Sequence, residues 1–309
     1  MVERNRVKVE QWAFRVPKIK GEESRQQLVA QGLLDTSLKP FVEGGDIFFP
    51  LTGSGEEGLR ALFDTHEKRL SPPARHELIG GIAVLQDSDR AVAADLLGSR
   101  PGIHTVLATT SDVQGEYRTR DFEVLAGVPT TRTRVLEYGH RFTVDLSEAY
   151  FSPRLATERQ RVLHQMGELE TVLDMFAGVG PFAITMSTSA RLVVSCDINP
   201  AAVILMKENC LENHCTNVMP VLADSGRLSK MVPWKFDRVV MNLPLHAPQF
   251  LDEAFRLCRP GGTIHFYALV STEGEYLDKI RTFQPSAVRE HTVRSYSPGK
   301  WHTVYDITV

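Results

Sequence analysis

The 309-residue sequence has few cysteines, no long apolar run and almost no net charge. The four cysteines form no C-x-x-C pair and all lie in the second half of the chain, at Cys196, Cys210, Cys215 and Cys258. A disulfide framework or a zinc ribbon is therefore not expected, whereas reduced thiols in a cytoplasm are. No apolar run reaches the roughly 18 residues of a membrane span, and the N-terminal region lacks a signal-peptide core. These absences predict a cytoplasmic protein without a membrane anchor.

The net charge of -3, from 35 basic and 38 acidic residues, at first disfavours a nucleic-acid partner. Proteins that bind nucleic acids usually carry a basic surface. The charge is uneven, however: residues 1–39 and 118–161 are net basic, while residues 40–117 are net acidic. Every basic residue of 118–161 is an arginine, whose guanidinium suits bidentate contacts with phosphate. The charge pattern is thus compatible with a nucleic-acid partner but does not establish one.

The length suggests two or three domains, and the turn residues divide the chain into three segments. Residues 1–53 predict a small β-α-β-β domain. A linker follows at 54–70, with loop composition at first and a helix-prone stretch up to Arg69. Residues 71–150 predict a strand-rich α+β middle domain.

Strand and helix signals alternate in residues 151–309. We expect strands at 171–174, 192–197, 218–222, 236–241 and 263–269. Helical segments lie between most of them, and one begins at Asn199-Pro200. Repeated β-α units predict a Rossmann-like, doubly wound and mostly parallel sheet, preceded by two smaller α+β domains.

A glycine-rich turn follows the first of these strands, in the segment Asp-Met-Phe-Ala-Gly-Val-Gly-Pro at residues 174–181. Gly178 and Gly180 allow the backbone to approach a ligand closely, and the following helix N-terminus offers free N–H groups. The segment is neither the full G-x-G-x-x-G fingerprint nor a P-loop, because no third glycine and no Gly-Lys-Ser/Thr are present. Pyrophosphate binding is therefore disfavoured.

Polar residues end the next three strands. Asp197 closes the second strand, Asp224 follows the third, and Asn242-Leu243-Pro244 follows the fourth. A single aspartate in such a position is more often a helix N-cap than a ligand. Four elements in this order are stronger evidence, because ligands of open α/β sheets bind at the carboxyl ends of the strands. Rossmann dehydrogenases are the competing class, and the missing third glycine disfavours them.

With these elements, residues 151–309 resemble the class I S-adenosylmethionine-dependent methyltransferases. In that family the glycine loop flanks the methionine moiety, the acid of the second strand holds the ribose and the aspartate after the third strand meets the adenine. The resemblance assigns these roles to the loop 178–180, Asp197 and Asp224. The cofactor-binding residues that it implies are Phe151, Arg154, Asp174, Phe176, Ala177, Gly178, Val179, Gly180, Asp197, Ile198, Asp224, Ser225, Asn242 and Pro244.

An Asn-Leu-Pro sequence after the fourth strand is typical of enzymes that methylate amino groups. A side-chain amide and a neighbouring backbone carbonyl can orient a planar nitrogen. The segment departs from the common Asn-Pro-Pro-Tyr form, since Leu245 replaces the aromatic residue that would stack on a base. A simple turn that closes the strand is the structural alternative.

Other motifs lie outside the cofactor loop. They are Phe-Ser-Pro-Arg-Leu-x-x-Glu-Arg at 151–159, Arg-Phe-x-x-Asp at 141–145, Gly-x-Asp-x-x-x-Pro at 44–50 and Val-Arg-Ser-Tyr-Ser-Pro at 293–298. Together they resemble the archaeal and eukaryotic tRNA (guanine-N1)-methyltransferases, which modify the purine 3′ of the anticodon, position 37. The resemblance covers nearly the whole chain.

The resemblance implies a catalytic role for Glu158. Guanine N1 carries a proton at neutral pH, so methylation needs a base, and Glu158 matches the glutamate of the family that removes it. Read without the surrounding motif, Glu158 is a carboxylate in the first turn of a helix, paired with Arg159 or Arg161.

Three further residues take roles by the same resemblance. Arg118 matches the arginine that stabilises negative charge on O6, although Arg120 is close enough to be the alternative. Asn242 would position the base. Arg154 would support the site or contact a phosphate.

The family also implies the partner, a tRNA whose outer corner contacts the small N-terminal domain and whose anticodon stem-loop contacts the rest. We expect a monomer and find no ligand cluster for a metal ion. Two alternatives stay open. One is a wyosine-pathway tRNA transferase, which transfers an aminocarboxypropyl group or methylates a tricyclic intermediate, and the other is a non-catalytic tRNA-binding module.

Overall fold

The computed structural model describes residues 8–54, 58–64, 76–111, 115, 117 and 119–309. Internal packing divides the chain into two compact units, Met1–Ala74 and Arg75–Val309. The three-domain division, with boundaries at 53, 70 and 150, therefore stays a prediction. In the described part of the chain, no helix is both long enough and apolar enough to span a membrane.

The first unit is a four-stranded antiparallel sheet with one helix. Its elements are β1 (Lys8–Pro17), a 3-10 turn (Lys18–Lys20), α1 (Gly21–Ala30), β2 (Phe41–Glu43), β3 (Asp46–Pro50) and β4 (Arg60–Asp64). The strand order is β2-β3-β1-β4. Val16, Leu28 and Phe49 form its core, where α1 packs on the sheet.

Strand β4 differs from the prediction, because it lies in the segment expected to be a helix-prone linker. Its residues pair antiparallel with Lys8–Trp12 of β1. Phe63 is fully buried there, in a cluster with Ala13 and Leu38. Burial of this phenylalanine against β1 outweighs the helical preference of the local sequence, since tertiary packing routinely overrides propensity.

The second unit begins with a four-stranded sheet and a hairpin. The elements are β5 (His76–Ile79), β6 (Ile82–Leu85), α2 (Arg90–Ser99), β7 (Thr105–Thr109), β8 (Phe122–Gly127), β9 (Arg132–Glu137) and β10 (His140–Asp145). The sheet order is β5-β6-β7-β8, and β9 pairs with β10. Asp89 caps α2 by accepting hydrogen bonds from the backbone N–H groups of Ala91 and Val92. These elements confirm the strand-rich α+β prediction for this segment.

A seven-stranded sheet dominates the second unit. Its strands are β11 (Thr171–Asp174), β12 (Leu192–Asp197), β13 (Val218–Leu222), β14 (Phe236–Met241), β15 (Cys258–Val270), β16 (Ala287–Ser297) and β17 (Lys300–Thr308). The helices are α3 (Ala156–His164), α4 (Pro181–Ser187), α5 (Pro200–Glu212), α6 (Leu251–Leu257) and α7 (Leu277–Arg281), with 3-10 turns at Pro153–Leu155, Ser225–Lys230 and Ala247–Phe250. The order is β13-β12-β11-β14-β15-β17-β16, and only β17 pairs antiparallel with its neighbours β15 and β16. The Rossmann-like, mostly parallel sheet is confirmed.

One hydrophobic core joins the middle segment to the large sheet. It contains Phe142 and Val144 of β10 together with Val179, Ala202 and Met206 of the glycine loop and α5. The side-chain amide of Asn209 in α5 also accepts a hydrogen bond of 2.7 Å from the Thr143 backbone N–H and donates one of 3.1 Å to the Thr143 carbonyl. Because these side chains share one core, the packing of the second unit continues across residue 150.

Candidate active site

A cavity of about 340 Å³ opens at the carboxyl edge of the large sheet, a volume typical of small-molecule sites. It is lined by the described residues Gly115, Tyr117, Tyr150, Phe151, Ser152, Leu155, Arg159, Phe176, Ala177, Gly178, Pro181, Phe182, Asp197, Ile198, Asn199, Ala202, Asp224, Ser225, Asn242, Leu243, His246, Gln249 and Phe250. Four of the contributing segments directly follow β11, β12, β13 and β14. The parallel strands thus bring together the elements that the sequence places far apart.

The glycine loop forms one wall of this cavity, which we call the cofactor cavity. Gly178 and Gly180 have φ values of 56° and 87°, in the left-handed region that favours glycine. Gly180 caps α4, and a side chain there would meet Met206 of α5 at 2.8 Å. A side chain at residue 180 would therefore be strained by the backbone conformation and would require Met206 to shift.

Asp197 connects the loop to the end of β12. Its Oδ2 accepts a hydrogen bond of 2.7 Å from the Gly178 backbone N–H, and its Oδ1 accepts one of 2.9 Å from that of Asn199. Burial raises the pKa of Asp197, and these backbone donors oppose the rise. The carboxylate is thus held at the cavity wall by backbone groups on both sides.

Asp174 is the last residue of β11 and directly precedes the glycine loop in sequence. Both carboxylate oxygens are buried without a well-formed hydrogen bond within the described structure. Burial raises the pKa of Asp174 to about 7, and the nearby Phe176 backbone N–H offsets only part of the rise. Asp197 adds to the shift by charge repulsion. The end of β11 therefore carries a buried carboxylate with spare acceptor capacity.

Two further strand ends supply polar groups to the cavity. After β13, Asp224 accepts a hydrogen bond of 2.9 Å from the Gly226 backbone N–H, and the Ser225 hydroxyl donates to the Met175 carbonyl. After β14, the side-chain oxygen of Asn242 is buried and lacks a hydrogen-bond partner within the described residues. A buried acceptor without a partner costs free energy, so it marks a position that a ligand donor can satisfy.

Glu158, in the first turn of α3, is hydrogen-bonded to other side chains of the protein. Its Oε1 accepts hydrogen bonds from the Tyr267 hydroxyl at 2.6 Å and from Arg161 Nη2 at 2.7 Å, and its Oε2 accepts one from Arg161 Nε at 2.9 Å. Arg161 also binds Asp306 at 2.6 Å. Burial lowers the pKa of Arg161, but the bonds to both carboxylates outweigh it and raise that pKa. The Glu158 carboxylate is thus buried in an ion-pair network and is not among the described residues that line the cavity.

Some of the predicted cofactor-binding residues therefore line the cavity, and others do not. The predicted residues that line the cofactor cavity are Phe151, Phe176, Ala177, Gly178, Asp197, Ile198, Asp224, Ser225 and Asn242. Asp174, Val179, Gly180 and Pro244 are not among its described lining residues, and each has another contact. Asp174 is buried at the end of β11, Val179 enters the hydrophobic core, Gly180 faces Met206, and the Pro244 carbonyl accepts a hydrogen bond from the Leu269 N–H.

The predicted arginines are also spread out. Arg154 pairs with Glu77 at 3.2 Å and lines a second, neighbouring cavity, as does Arg120. Arg118, the predicted O6 contact, lies outside the described residues. Among the residues that the structure describes, no group of three or more His, Cys, Asp and Glu side chains could hold a metal ion.

The sequence does not predict the aromatic, histidine and glutamine side chains that line the cavity. Tyr117 and Tyr150 come from the segments before α3, and His246, Gln249 and Phe250 come from the segment after β14. Phe250 meets Phe176 edge-on, with ring centroids 5.0 Å apart. No spacing pattern marks these residues, although Tyr150 directly precedes the motif at 151–159.

This sheet order, with a cavity of this kind at its carboxyl edge, defines a class I methyltransferase fold. Residues 133–294 match the model of the TRM5/TYW2 methyltransferase domain, and residues 13–58 match that of the tRNA methyltransferase 5 N-terminal domain. The chain belongs to the TRM5/TYW2 methyltransferase family.

Individual relatives are similar over different lengths. The tRNA (guanine(37)-N(1))-methyltransferase Trm5b of Pyrococcus abyssi is 33% identical, over 96% of this chain and 98% of its own. The solved complex of aTrm5 and tRNALeu has a TM-score of 0.72 at 29% identity, over 96% of this chain and 99% of that one. The tRNA(Phe) (4-demethylwyosine(37)-C(7)) aminocarboxypropyltransferase of Methanocaldococcus jannaschii is 29% identical, over 75% of this chain and 96% of its own.

Proposed function

We propose that this protein transfers a methyl group from S-adenosylmethionine to N1 of the guanine at position 37 of tRNA. The observation that carries the proposal is similarity to a Trm5b enzyme over nearly the whole chain, including a match to the N-terminal domain of that family. The aminocarboxypropyltransferase relative aligns with three quarters of the chain. This difference favours N1 methylation over aminocarboxypropyl transfer or methylation of a wyosine intermediate.

The cofactor cavity fits S-adenosylmethionine. Asp197 would accept hydrogen bonds from the ribose hydroxyls, Asp224 would meet the adenine, and the loop 178–180 would flank the methionine moiety. When bound, S-adenosylmethionine supplies an electrophilic methyl group on its sulfonium. The buried side-chain oxygen of Asn242 is free to accept from an N–H of the target base, which would orient its N1.

Glu158 is the proposed general base for the N1 proton. It lies in the first turn of α3 between Leu155 and Arg159, which both line the cavity. The base role requires its side chain to leave Arg161 and Tyr267 and turn toward the substrate. Arg161 keeps Asp306 as a partner when this happens, so the movement leaves no buried guanidinium unpaired.

An arginine would stabilise the negative charge that develops on O6 when N1 loses its proton. Arg118 is the proposed residue, with Arg120 as the alternative. The proposal gains support from Gly115 and Tyr117, which shortly precede both arginines in sequence and line the cofactor cavity. Arg154 is proposed to support the site from the second cavity.

The substrate is a tRNA. We propose that its anticodon stem-loop meets the catalytic unit and its outer corner meets the N-terminal unit, as separate domains of one chain. We further propose that the enzyme works as a monomer in the cytoplasm. These assignments agree with the net basic charge of residues 1–39 and 118–161.

Incubation of the protein with labelled S-adenosylmethionine and tRNA transcripts tests the proposal. The transcripts carry guanine or adenine at position 37 and are otherwise identical. We expect label in the guanine transcript only. Equal labelling of both transcripts would refute guanine specificity, and labelling of neither would favour a non-catalytic tRNA-binding module.

A further inference from the structure

A second cavity of about 330 Å³ adjoins the cofactor cavity, and the two share the wall formed by residues 150–152. The residues of the second cavity that matter here are Arg120, Arg154, Arg294, Tyr296 and Glu77. We call it the arginine cavity. It brings together the middle segment, the lead-in to α3 and the strand β16, and its residues Arg294 and Tyr296 have no part in the proposed methyl transfer.

The charge of the arginine cavity is positive. Among its described lining residues, three arginines face one carboxylate, Glu77, which pairs with Arg154 at 3.2 Å. Arg294 has a buried Nε without a hydrogen-bond partner among the described residues. A buried donor of this kind is costly to leave unsatisfied, and guanidinium groups match phosphate oxygens in bidentate geometry. The cavity is therefore suited to an anionic group.

An aromatic ring accompanies these cations. The Arg294 guanidinium carbon lies 5.9 Å from the centre of the Tyr296 ring, and Tyr296 remains about half exposed. Aromatic rings next to arginines are the usual platform for unstacked bases of single-stranded RNA, with phosphates held by the cations. Both residues belong to the motif at 293–298, for which the proposed reaction gives no role.

We infer that the arginine cavity binds the nucleotide next to the target guanine in the anticodon loop. Tyr296 stacks on its base, and Arg294 holds the adjoining phosphate. The shared wall at 150–152 explains the choice of occupant. A base that enters the cofactor cavity is turned out of its loop, and its covalent neighbour is then led to the adjacent cavity. This inference rests on the proposed function, because it takes an RNA guanine as the target.

Binding of anticodon stem-loop hairpins to the full chain tests the inference. Three hairpins are titrated by fluorescence anisotropy: the intact one, and two that lack the base on either side of the target. The variants are Tyr296→Ala, Tyr296→Phe and Arg294→Ala. Arg289→Ala is the matched control, since Arg289 is an exposed arginine on the same strand and is not among the described residues of the cavity.

We expect Tyr296→Ala to weaken binding of the intact hairpin about tenfold, within the range of one base–aromatic stack, while Tyr296→Phe and Arg289→Ala bind normally. The wild type should bind one of the two abasic hairpins about tenfold more weakly than the intact hairpin. Tyr296→Ala should bind that abasic hairpin and the intact one equally, because the missing base and the missing ring remove the same contact. Arg294→Ala should lower the slope of log affinity against log salt by about 0.7, the value for one phosphate of a single strand.

Several outcomes would overturn the inference. These are unchanged affinity in both Tyr296→Ala and Arg294→Ala, losses that add fully for both abasic hairpins, or no hairpin binding by the wild type. Cofactor affinity, measured by calorimetry on the same variants, should stay unchanged and shows that the cofactor cavity is intact. Failure of the proposed function is distinct: it appears as normal hairpin binding by the wild type without methylation of guanine.

Discussion

Arg159 and Glu137 form a buried, bidentate ion pair, with Nε–Oε1 and Nη2–Oε2 distances both of 2.6 Å. Arg159 is 1% and Glu137 6% exposed. Arg159 also donates to the Ser152 carbonyl at 3.2 Å and lines the cofactor cavity. The pair thus fastens strand β9 to helix α3 and to the wall between the two cavities.

Removal of one partner of this pair should destabilise the protein strongly. Arg159→Ala leaves the Glu137 carboxylate buried without its counter-charge, which typically costs about 3–5 kcal/mol. For a unit of this size we expect the melting temperature to fall by about 10 °C. The double variant Arg159→Met/Glu137→Leu should be less destabilised than Arg159→Ala, because it leaves no unpaired charge. A melting curve for Arg159→Ala that matches the wild type would contradict this role.

Glu158→Gln should separate catalysis from cofactor binding. The amide keeps the size of the side chain but cannot take the N1 proton, so we expect the single-turnover rate constant to fall at least tenfold. Cofactor affinity, measured by calorimetry, should not change, since Glu158 is not among the described residues of the cofactor cavity.

Tyr267→Phe is the control for the Glu158 network. It removes one hydrogen bond to the same carboxylate and leaves the base in place. We expect its rate to exceed that of Glu158→Gln. If Glu158→Gln transfers methyl groups at the wild-type rate but melts earlier, Glu158 has only the structural role that its ion pair suggests.

Asp174 should make stability depend on pH. Burial raises its pKa in the folded protein to about 7, from 3.8, so the folded state binds the proton more tightly. The cost of ionising the buried group is absent below the unfolded pKa, grows as pH rises and is complete above pH 7. Asp174→Asn removes that cost. The variant should therefore gain stability relative to the wild type between pH 5 and pH 8, by roughly 2–4 kcal/mol.

Urea denaturation of both proteins at pH 5 and pH 8 checks this prediction. At pH 5 the Asp174 side chain is neutral in the folded wild type but ionised in the unfolded state, so only a minor part of the cost is present and the stability difference should be clearly smaller than at pH 8. A stability difference that is the same at both pH values would show that Asp174 does not titrate in this range.

Gly180→Ala should lower the free energy of unfolding more than Gly139→Ala, a replacement with equal backbone strain. Gly180 and Gly139 have φ values of 87° and 89°, but a side chain at Gly180 meets Met206 at 2.8 Å, while one at Gly139 meets nothing within 4 Å. The positive φ alone costs an alanine about 1–2 kcal/mol. We expect Gly139→Ala to lose about that much by urea denaturation, and Gly180→Ala to lose more and to bind the cofactor more weakly. Equal losses would mean that the contact with Met206 relaxes freely.

The sequence predicts which strand ends meet at the carboxyl edge of the sheet. Gly178, Asp197, Asp224 and Asn242 all line the cofactor cavity, because alternating β-α units force successive strand ends to one edge of a parallel sheet. This inference needs only the order of the elements and holds without knowledge of any side-chain contact.

Long-range packing accounts for what the sequence does not predict. The partner of Glu158, Tyr267, is 109 residues away, and the cavity wall at Phe250 comes from a separate 3-10 turn. The sequence likewise does not predict the hairpin of β16 and β17. The outer strand β16 alternates irregularly between half-buried and exposed residues, so it lacks the regular period of a half-buried strand.

The identity of the modified nucleoside tests the central claim most directly. Unmodified tRNA transcript with guanine at position 37 is incubated with the protein and S-adenosylmethionine, digested to nucleosides and analysed by mass spectrometry with chromatographic standards. The account predicts 1-methylguanosine, with the mass of one added methyl group, at position 37. Guanosine methylated at another atom, or a nucleoside that carries the heavier aminocarboxypropyl group, would contradict it.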